Sequence, residues 1–382
     1  MAIFHCQVKV IGRSAGKSAV AAAAYRSGEE LTNEYDGITH DYNDKNWISY
    51  KEIMLPEGAP EEYADRETLW NAVEKAESAS DARLARELEI ALPVELSRQE
   101  QIELLHRYSE RFLVSEGMCA DIAIHNPPVT DDRHRPIDVS GKVTHNQKEM
   151  IFRNPHAHIL VTVRPLDKNG RWEYKSEKEY LCRKDKEEQA FTAKEFTVAK
   201  IDGWEKQYRY IVDGTKVWMT PSEAEKEGFK RADKNPKTTP YGRKNPKTEK
   251  WNSPEQIVEW RKGWEETANE MLKEKGSNSK IDSRSFAEQG RASELPTLHM
   301  GVSATNMERR AEREEREGKN PSDIVHSDIG NINSDIKKHN AFIQTILETA
   351  HKLREKLEKI FGKEYTDRKE KGLENDFTLD RE

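Results

Sequence analysis

The stretch NPHAHILVT, residues 154–162, carries the strongest structural signal in the chain, because it joins a strand pattern to two closely spaced histidines. Residues i and i+2 of a strand point to the same face, roughly 7 Å apart, so His156 and His158 can converge on one cation. Imidazole is the commonest metal ligand in proteins. A packed polar pair, or a chance His-x-His at the start of a strand, is the alternative reading of this stretch alone.

A second strand-like run, ADIAIH at residues 120–125, supplies a third candidate ligand. Its last residue, His125, lies on the face opposite to the isoleucines of the run. If the two strands pair antiparallel, His125 at the end of one meets His156 at the start of the other. We therefore predict a divalent metal site formed by His125, His156 and His158, with open positions that suit a phosphate oxygen.

Other histidines compete for the third position. His134 and His145 lie in the polar loop of residues 126–153, where a ligand is held less rigidly, and His106 lies in a predicted helix. His5, on the polar face of the first predicted strand, could support the site from behind the ligands.

The composition describes a surface-rich chain. Its 382 residues include 63 Lys+Arg and 70 Asp+Glu, which gives a net charge of −7, and 35% of them are apolar. No apolar run reaches ~18 residues and no secretory signal core is present, so we expect no membrane insertion and a cytoplasmic location. Three widely spaced cysteines argue against a disulfide framework and a cysteine-only zinc site.

Strand and helix periods alternate up to about residue 165 and predict an α/β or α+β core. Ser14 is expected to cap the alanine-rich run AGKSAVAAAAYRSG, and Gly28 to end it, which leaves Tyr25 in the last turn. The strands are predicted at residues 4–11, 84–93, 118–125 and 155–164, and the other helices at residues 61–82, 97–116 and 253–275.

Tyr25 is the candidate nucleophile. A phenol has a pKa near ~10, so it attacks poorly unless a cation or a base stabilises the phenoxide. A helical tyrosine is most often only a packing or surface aromatic, which is the alternative here. Glu87 and Glu89 share one face of a predicted strand and could orient a ligand imidazole, unless they are simply exposed to water.

Residues 229–250 contain eight Lys/Arg and two Asp/Glu, which gives this segment a local charge of 8 − 2 = +6. Proline and glycine are expected to keep this loop extended and its cations available, although a solvated linker fits equally well. Tyr241, between two copies of KNPKT, could stack a base. The cations predicted to contact phosphates, here and near the start of the chain, are Lys9, Arg13, Lys17, Arg26, Lys234, Lys237, Arg243, Lys244 and Lys247.

Apolar residues near the end of the chain recur every seven positions and predict a long amphipathic helix. This helix either forms a homodimeric coiled coil or folds back on the core. Residues 363–382 are predicted to be disordered. The heptad positions are Ile336, Ile343, Ala350 and Leu357, with Ile346, Leu353 and Ile360 three residues after the last three of them.

Four motifs, in this order, resemble the MobA/MobL class of plasmid mobilisation relaxases (the MobQ group): MAIFHCQVKVIGRSAGKSAVAAAAYRSGE, ARELEIALP, ADIAIH and NPHAHILVT. The resemblance extends to about residue 320. It implies the HUH endonuclease fold, an α+β fold whose central antiparallel sheet is flanked by helices and has the two-histidine strand in its middle. The implied organisation is a nuclease domain (1–228), a basic loop (229–250), a helical continuation (251–320), and a C-terminal amphipathic helix with a tail (321–382).

The resemblance also implies roles for single residues. Tyr25 matches the family's nucleophile, His156 and His158 its histidine pair, and His125 the third ligand. Either Glu87 or Glu89 matches the supporting glutamate. The implied cofactor is Mn²⁺ or Mg²⁺, with Zn²⁺ as an alternative. The implied partners are single-stranded DNA at a transfer origin, auxiliary relaxosome proteins and a coupling protein, and the implied product is a 5′-phosphotyrosine.

Three rival functions stay open at this point. A rolling-circle replication initiator uses the same fold and the same tyrosine chemistry. A non-enzymatic DNA-binding or scaffold protein would need the histidines only for structure, and a metal hydrolase would use water in place of Tyr25. The stretch GRSAGKSA has the wrong spacing for a Walker phosphate loop, so no helicase activity is expected.

Overall fold

The computed structural model describes residues 3–361, so the predicted disordered tail lies outside the described residues. The strands are β1 (Cys6–Gly12), β2 (Glu30–Asn33), β3 (Ile38–Asp41), β4 (Ile48–Met54), β5 (Arg83–Ala91), β6 (Ala120–His125), β7 (His156–Thr162), β8 (Ser176–Glu177), β9 (Glu179–Lys184), β10 (Glu187–Thr192), β11 (Glu205–Lys206), β12 (Tyr208–Val212), β13 (Thr215–Met219), β14 (Lys230–Arg231) and β15 (Arg243–Lys244). The helices are α1 (Ala19–Ser27), α2 (Arg66–Ala76), α3 (Arg98–Phe112), α4 (Ala193–Ala199), α5 (Pro221–Lys226), α6 (Pro246–Trp251), α7 (Pro254–Glu274), α8 (Gly301–Arg316) and α9 (Asp328–Phe361).

Five strands form the central sheet in the order β1-β5-β7-β6-β4, and every neighbouring pair is antiparallel. The two-histidine strand β7 is therefore the middle strand. Apolar side chains lie on both sides of the sheet, because each side is covered by helices. The predicted α+β class, with a central antiparallel sheet flanked by helices and a C-terminal helical extension, is confirmed.

One side of the sheet packs against α3 and α7. Leu88 and Ile90 of β5 belong to this core together with Trp260 and Trp264 of α7, all fully buried. The other side packs against α1 and α2, where the alanines of α1 meet Trp70. The small alanine side chains let α1 approach the sheet closely, which places its C-terminal end near the sheet surface.

Helix α1 begins later than its sequence suggests. Ser18, and not Ser14, is the N-cap, and its hydroxyl accepts a hydrogen bond from the Ala21 amide at 3.2 Å. The predicted cap is wrong because residues 13–15 form a 3-10 turn that ends at Gly16, whose φ is 67°. The prediction that Gly28 ends the helix, with Tyr25 in its last turn, is confirmed.

The helix predicted over residues 61–82 is also shorter in the structure. A 3-10 turn covers Glu61–Ala64, and α2 starts only after Asp65, whose carboxylate caps it by accepting from the Thr68 amide at 2.9 Å. An N-cap residue has an extended backbone, so the two helical pieces cannot be continuous. Helix α3 follows its prediction closely, with a capping box between Ser97 and Glu100.

The chain forms two compact units. The first contains the residues up to Pro127 together with Asn154–Asp282, and the second contains Pro128–Arg153 and the residues from Ser283 onward. The predicted long loop thus belongs almost entirely to the second unit. The domain limits predicted from sequence, after residues 228, 250 and 320, stay a prediction.

Within the second unit, the loop of Pro128–Arg153 contacts α8. The guanidinium of Arg313 donates to both carboxylate oxygens of Asp132, at 2.9 and 3.1 Å, and Arg309 donates to the Thr130 hydroxyl at 3.1 Å. Helix α9 has the predicted amphipathic pattern, and its apolar residues near the end are exposed, as with Leu353 at 55%. Whether a second copy covers them stays a prediction. Across residues 3–361, no helix has the length and apolar character required to cross a membrane.

Candidate active site

Three imidazoles meet where β6 ends and β7 begins. The register of the two strands pairs His125 directly with His156, as predicted, and His158 lies two residues further along β7. The ring centroids are 4.6 to 5.5 Å apart. One nitrogen from each ring lies within 4.8 Å of the other two, so the three rings can share one ion.

Each ring donates its single N–H to an oxygen of the protein, which fixes its tautomer. The hydrogen bonds run from Nδ1 of His158 to Oε1 of Glu87 (2.7 Å), from Nδ1 of His156 to the Asn154 carbonyl (2.8 Å), and from Nε2 of His125 to the Arg26 carbonyl (2.7 Å). Nδ1 of His125 and Nε2 of His156 and His158 are left with free lone pairs. Three imidazole nitrogens at this separation fit a divalent ion.

Burial keeps two of these rings neutral. Burial, together with the neighbouring charges of Lys45, His158 and His156, lowers the pKa of His125 to about 3, against the opposing effect of the hydrogen bond to the Arg26 carbonyl. Burial also lowers the pKa of His156. Because only a neutral imidazole binds a metal, both rings are in the ligand form at neutral pH.

Glu87 is the carboxylate that contacts a ligand ring. Its buried side chain bonds His158 and forms a two-pronged ion pair with the Arg26 guanidinium. Burial opposes its ionisation, but the hydrogen bonds from His158 and Arg26 outweigh burial and lower the pKa of Glu87 to about 2. Glu89 instead pairs with Lys9. Of the two glutamates between which the sequence left the choice open, Glu87 is thus the one that bonds a candidate ligand ring, and its supporting role stays a prediction.

Glu87 and Glu89 also offer, with His158, a second group of ligand atoms within 4.8 Å of one another. Both carboxylates are already engaged by cations, Glu87 by Arg26 and Glu89 by Lys9. The three-histidine group has no such competition, so it is the better candidate for a metal centre.

Tyr25 lies next to this centre along the chain, because the carbonyl that bonds His125 belongs to the following residue, Arg26. Its side chain is 48% exposed and packs edge-to-face against the ring of Tyr42, with 5.2 Å between centroids. The ammonium of Lys45 lies 3.4 Å from the centroid of the Tyr25 ring and donates to the Tyr25 carbonyl at 2.7 Å.

Lys45 and Tyr42 were not predicted from the sequence. Both lie in the polar segment DYNDKNW between β3 and β4, which has no strand or helix period and no metal-ligand spacing. Burial lowers the pKa of Lys45 to about 8, and the Arg26 guanidinium adds to this while Glu87 opposes it. No ion pair joins Lys45 to a carboxylate anywhere in residues 3–361.

Most of the cations predicted to contact phosphates are engaged by carboxylates. The expectation that the cations of residues 229–250 stay available is wrong for five of them, because Lys237, Arg243, Lys244, Lys247 and Lys250 each form an ion pair with a glutamate. In the part of the chain that the structure describes, exposed Lys17 and Lys234 have no such partner. The ion pairs are Lys9–Glu89, Arg13–Glu74, Arg26–Glu87, Lys237–Glu188, Arg243–Glu179, Arg243–Glu195, Lys244–Glu249 and Lys247–Glu173. Tyr241 is 84% exposed, and a role for any of these residues on DNA stays a prediction.

The MobA/MobL family model matches residues 17–310. "Mobilization protein MobL" of Acidithiobacillus ferridurans is 32% identical over 83% of this chain and 66% of that protein. "Conjugal transfer protein TraA" of Rhizobium radiobacter is 30% identical over 82% of this chain and 22% of that protein. "Probable mobilization protein MobA" of Bifidobacterium longum is 30% identical over 81% of this chain and 45% of that protein.

The chain spans between about a fifth and two thirds of the length of these relatives. A solved structure, "Molecular Basis of Vancomycin Resistance Transfer in Staphylococcus aureus", aligns with a TM-score of 0.46 and 26% identity, over 74% of this chain and 100% of that chain.

Proposed function

Because the chain belongs to the MobA/MobL family, we propose that it is a site- and strand-specific nickase, a relaxase of the HUH endonuclease type. It would cleave single-stranded DNA at a plasmid transfer origin and rejoin the strand after transfer. The observation that carries this proposal is the cluster of three imidazoles, one of which, His125, hydrogen-bonds the carbonyl of the residue that follows Tyr25. A helical tyrosine beside a metal-binding cluster is the arrangement that transesterification requires.

The proposed reaction is a phosphoryl transfer to Tyr25. The phenolic oxygen of Tyr25 attacks the scissile phosphorus, and the bond from phosphorus to the 3′ oxygen breaks. The products are a 5′-phosphotyrosine and a free 3′ hydroxyl, which takes up the proton that the phenol loses. One phosphodiester is exchanged for another, so the reverse reaction can rejoin the strand without ATP.

His125, His156 and His158 would hold the metal, since each ring has a nitrogen within 4.8 Å of a nitrogen of the other two. When bound there, Mn²⁺, Mg²⁺ or Zn²⁺ would polarise the phosphate and neutralise its developing charge. Glu87 would keep the His158 ring in the tautomer that leaves Nε2 available. Arg26 would hold Glu87 ionised, so its contribution to the site is through that carboxylate.

The proposed partner is single-stranded DNA, since a base-paired strand could not reach Tyr25 without being melted. Lys17 and Lys234 are the predicted phosphate contacts that are exposed and unpaired within the described residues. Auxiliary relaxosome proteins and a coupling protein would supply origin melting and delivery. A homodimer through the exposed apolar residues of α9 is part of the same proposal.

The test is incubation with labelled single-stranded origin DNA and Mn²⁺ or Mg²⁺, followed by a denaturing gel. The wild type should give a cleaved strand and a covalent protein–DNA adduct, and Tyr25→Phe should give neither while still binding DNA. Tyr42→Phe is the matched control, because it removes a hydroxyl from the ring that packs against Tyr25. A covalent adduct formed by Tyr25→Phe would refute the assignment, and cleavage without any adduct would favour a hydrolase.

A further inference from the structure

Lys45 makes two contacts with the same residue. Its ammonium lies over the face of the Tyr25 ring, 3.4 Å from the centroid, and also donates to the Tyr25 carbonyl at 2.7 Å. One contact fixes the cation relative to the backbone of Tyr25, and the other fixes it relative to the ring. Together they restrict how far the ring can turn away from the end of α1.

The loop that bears Lys45 is held against α1 at a glycine. A Cβ at Gly28 would lie 2.5 Å from Cδ1 of Ile48, 3.5 Å from the Lys45 carbonyl and 3.6 Å from the Tyr42 carbonyl. The Lys45 amide also donates to the Tyr42 carbonyl at 2.9 Å, which closes a turn. The packing of the loop against α1 therefore fixes the backbone of Lys45 close to Tyr25. The side chain of Lys45 then loses little conformational entropy when it contacts Tyr25.

Lys45 also differs from the other cations of the site in its charge balance. Arg26 and Lys9 are paired with Glu87 and Glu89. Lys45 is half-buried, and among residues 3–361 no carboxylate forms an ion pair with it. Burial and the Arg26 charge lower its pKa, while the charge of Glu87 opposes them without forming an ion pair with Lys45. A new negative charge on the Tyr25 ring would therefore lie next to a cation, Lys45, that no carboxylate already pairs.

We propose that Lys45 is a positioning residue for the Tyr25 nucleophile, which holds the phenol ring and stabilises the phenoxide that attacks the phosphate. This inference rests on the proposed function of Tyr25. A cation over an aromatic face interacts with the ring quadrupole, and it interacts more strongly when the ring carries the delocalised charge of a phenoxide. The contact is thus stronger in the reacting state than in the resting one, which is the condition for accelerating the reaction.

The experiment measures single-turnover adduct formation and DNA affinity for the full chain with Mn²⁺ and labelled single-stranded origin DNA. Lys45→Met keeps the length of the side chain but removes the charge, and Lys45→Arg keeps the charge. We expect Lys45→Met to slow adduct formation on the order of tenfold with less than about threefold change in Kd, and Lys45→Arg to recover most of the rate. Lys51→Met is the matched control, because Lys51 lies on β4 near the end of α1 but pairs with Glu29.

The outcomes separate the two proposals. A rate for Lys45→Met equal to the wild type, a loss confined to Kd, or equal losses in the Met and Arg variants would each overturn the role of Lys45 and leave Tyr25 in place. If the wild type forms no Tyr25-dependent adduct, the proposed function itself fails and the role of Lys45 falls with it. Should circular dichroism show that Lys45→Met is unfolded, Lys45→Gln replaces it, because glutamine is uncharged but can still donate to the Tyr25 carbonyl.

Discussion

Nδ1 of His158 donates a hydrogen bond to Oε1 of Glu87 at 2.7 Å, across the β5–β7 strand pair. The strand register places Glu89, and not Glu87, directly opposite His158. The diagonal neighbour therefore makes the contact, while Glu89 turns to Lys9 on β1. This diagonal geometry couples the orientation of a candidate metal ligand to a single buried carboxylate.

Replacing Glu87 with glutamine should weaken metal binding. The amide can still accept from His158, but it loses the charge that raises the basicity of the ring, so we expect an affinity about 10- to 100-fold lower. Isothermal titration with Mn²⁺ or Zn²⁺ measures the effect. Glu89→Gln is the control, since Glu89 bonds Lys9 and not a histidine. The metal affinity of the Glu89→Gln variant should stay within about threefold of the wild type. Equal losses in the two variants would contradict the assignment of Glu87.

The same carboxylate should make stability depend on pH. Its pKa is about 2 in the folded protein against an ordinary value of 4.5, so its contribution is complete above about pH 4.5 and is lost as the pH falls toward 2. When the pH falls from 5 to 3, the free energy of unfolding of the metal-free wild type should therefore decrease by about 2 kcal/mol more than that of Glu87→Gln. Urea denaturation at the two pH values measures the difference.

The control for this pH experiment is Glu110→Gln, on an exposed position of α3, which should keep the wild-type pH dependence. If Glu87→Gln and the wild type lost the same free energy between pH 5 and pH 3, the pKa of Glu87 would not be lowered in the folded protein.

Gly28→Ala should destabilise the protein and also slow nicking. Gly28 has a φ of 63°, a left-handed conformation that would lower the free energy of unfolding by roughly 1–2 kcal/mol if an alanine had to adopt it. In addition, the Cβ of the alanine would lie 2.5 Å from Cδ1 of Ile48. Relief of that overlap moves the loop that bears Lys45. Gly37→Ala is the matched control, because Gly37 has φ of 73° with no atom within 4 Å of an added Cβ. A free energy of unfolding and a nicking rate equal in the two variants would contradict the close approach.

The cluster of three histidines could be predicted from sequence because it depends on strand periodicity. Alternation places His156 and His158 on one face, and an antiparallel partner that ends in His125 brings the third ring to the same place. The same alternation places Glu87 and Glu89 on one face of β5. These relations are local to a strand or to one strand pair, so the residue pattern contains them.

The residues that were missed depend on contacts between distant segments. Lys45 contacts Tyr25 because Gly28, at the end of α1, has no side chain and the loop between β3 and β4 can pack closely against it. Helix and strand periodicity in the sequence does not predict a contact of this kind. The ion pairs of the cations in residues 229–250 were missed because some of their partners are distant in sequence, as with Arg243 and Glu195. Ser14 and Ser18 are both plausible caps, and only the turn that ends at Gly16 distinguishes them.

Lys17 provides a test of the predicted phosphate contacts, because it is exposed just before α1 and has no ion-pair partner within residues 3–361. If it binds a phosphate, Lys17→Ala should lower the affinity for single-stranded DNA and reduce the slope of log Kd against log salt by about 0.7, the value for one contact with a single strand. Lys244→Ala is the control, since Lys244 is paired with Glu249. Fluorescence anisotropy between 50 and 200 mM salt, on the order of the range in which counterion release dominates, measures both slopes. An unchanged slope for Lys17→Ala would show that Lys17 does not contact a phosphate of the bound strand. A reduced slope for Lys244→Ala would show that Lys244 leaves its ion pair with Glu249 to bind a phosphate.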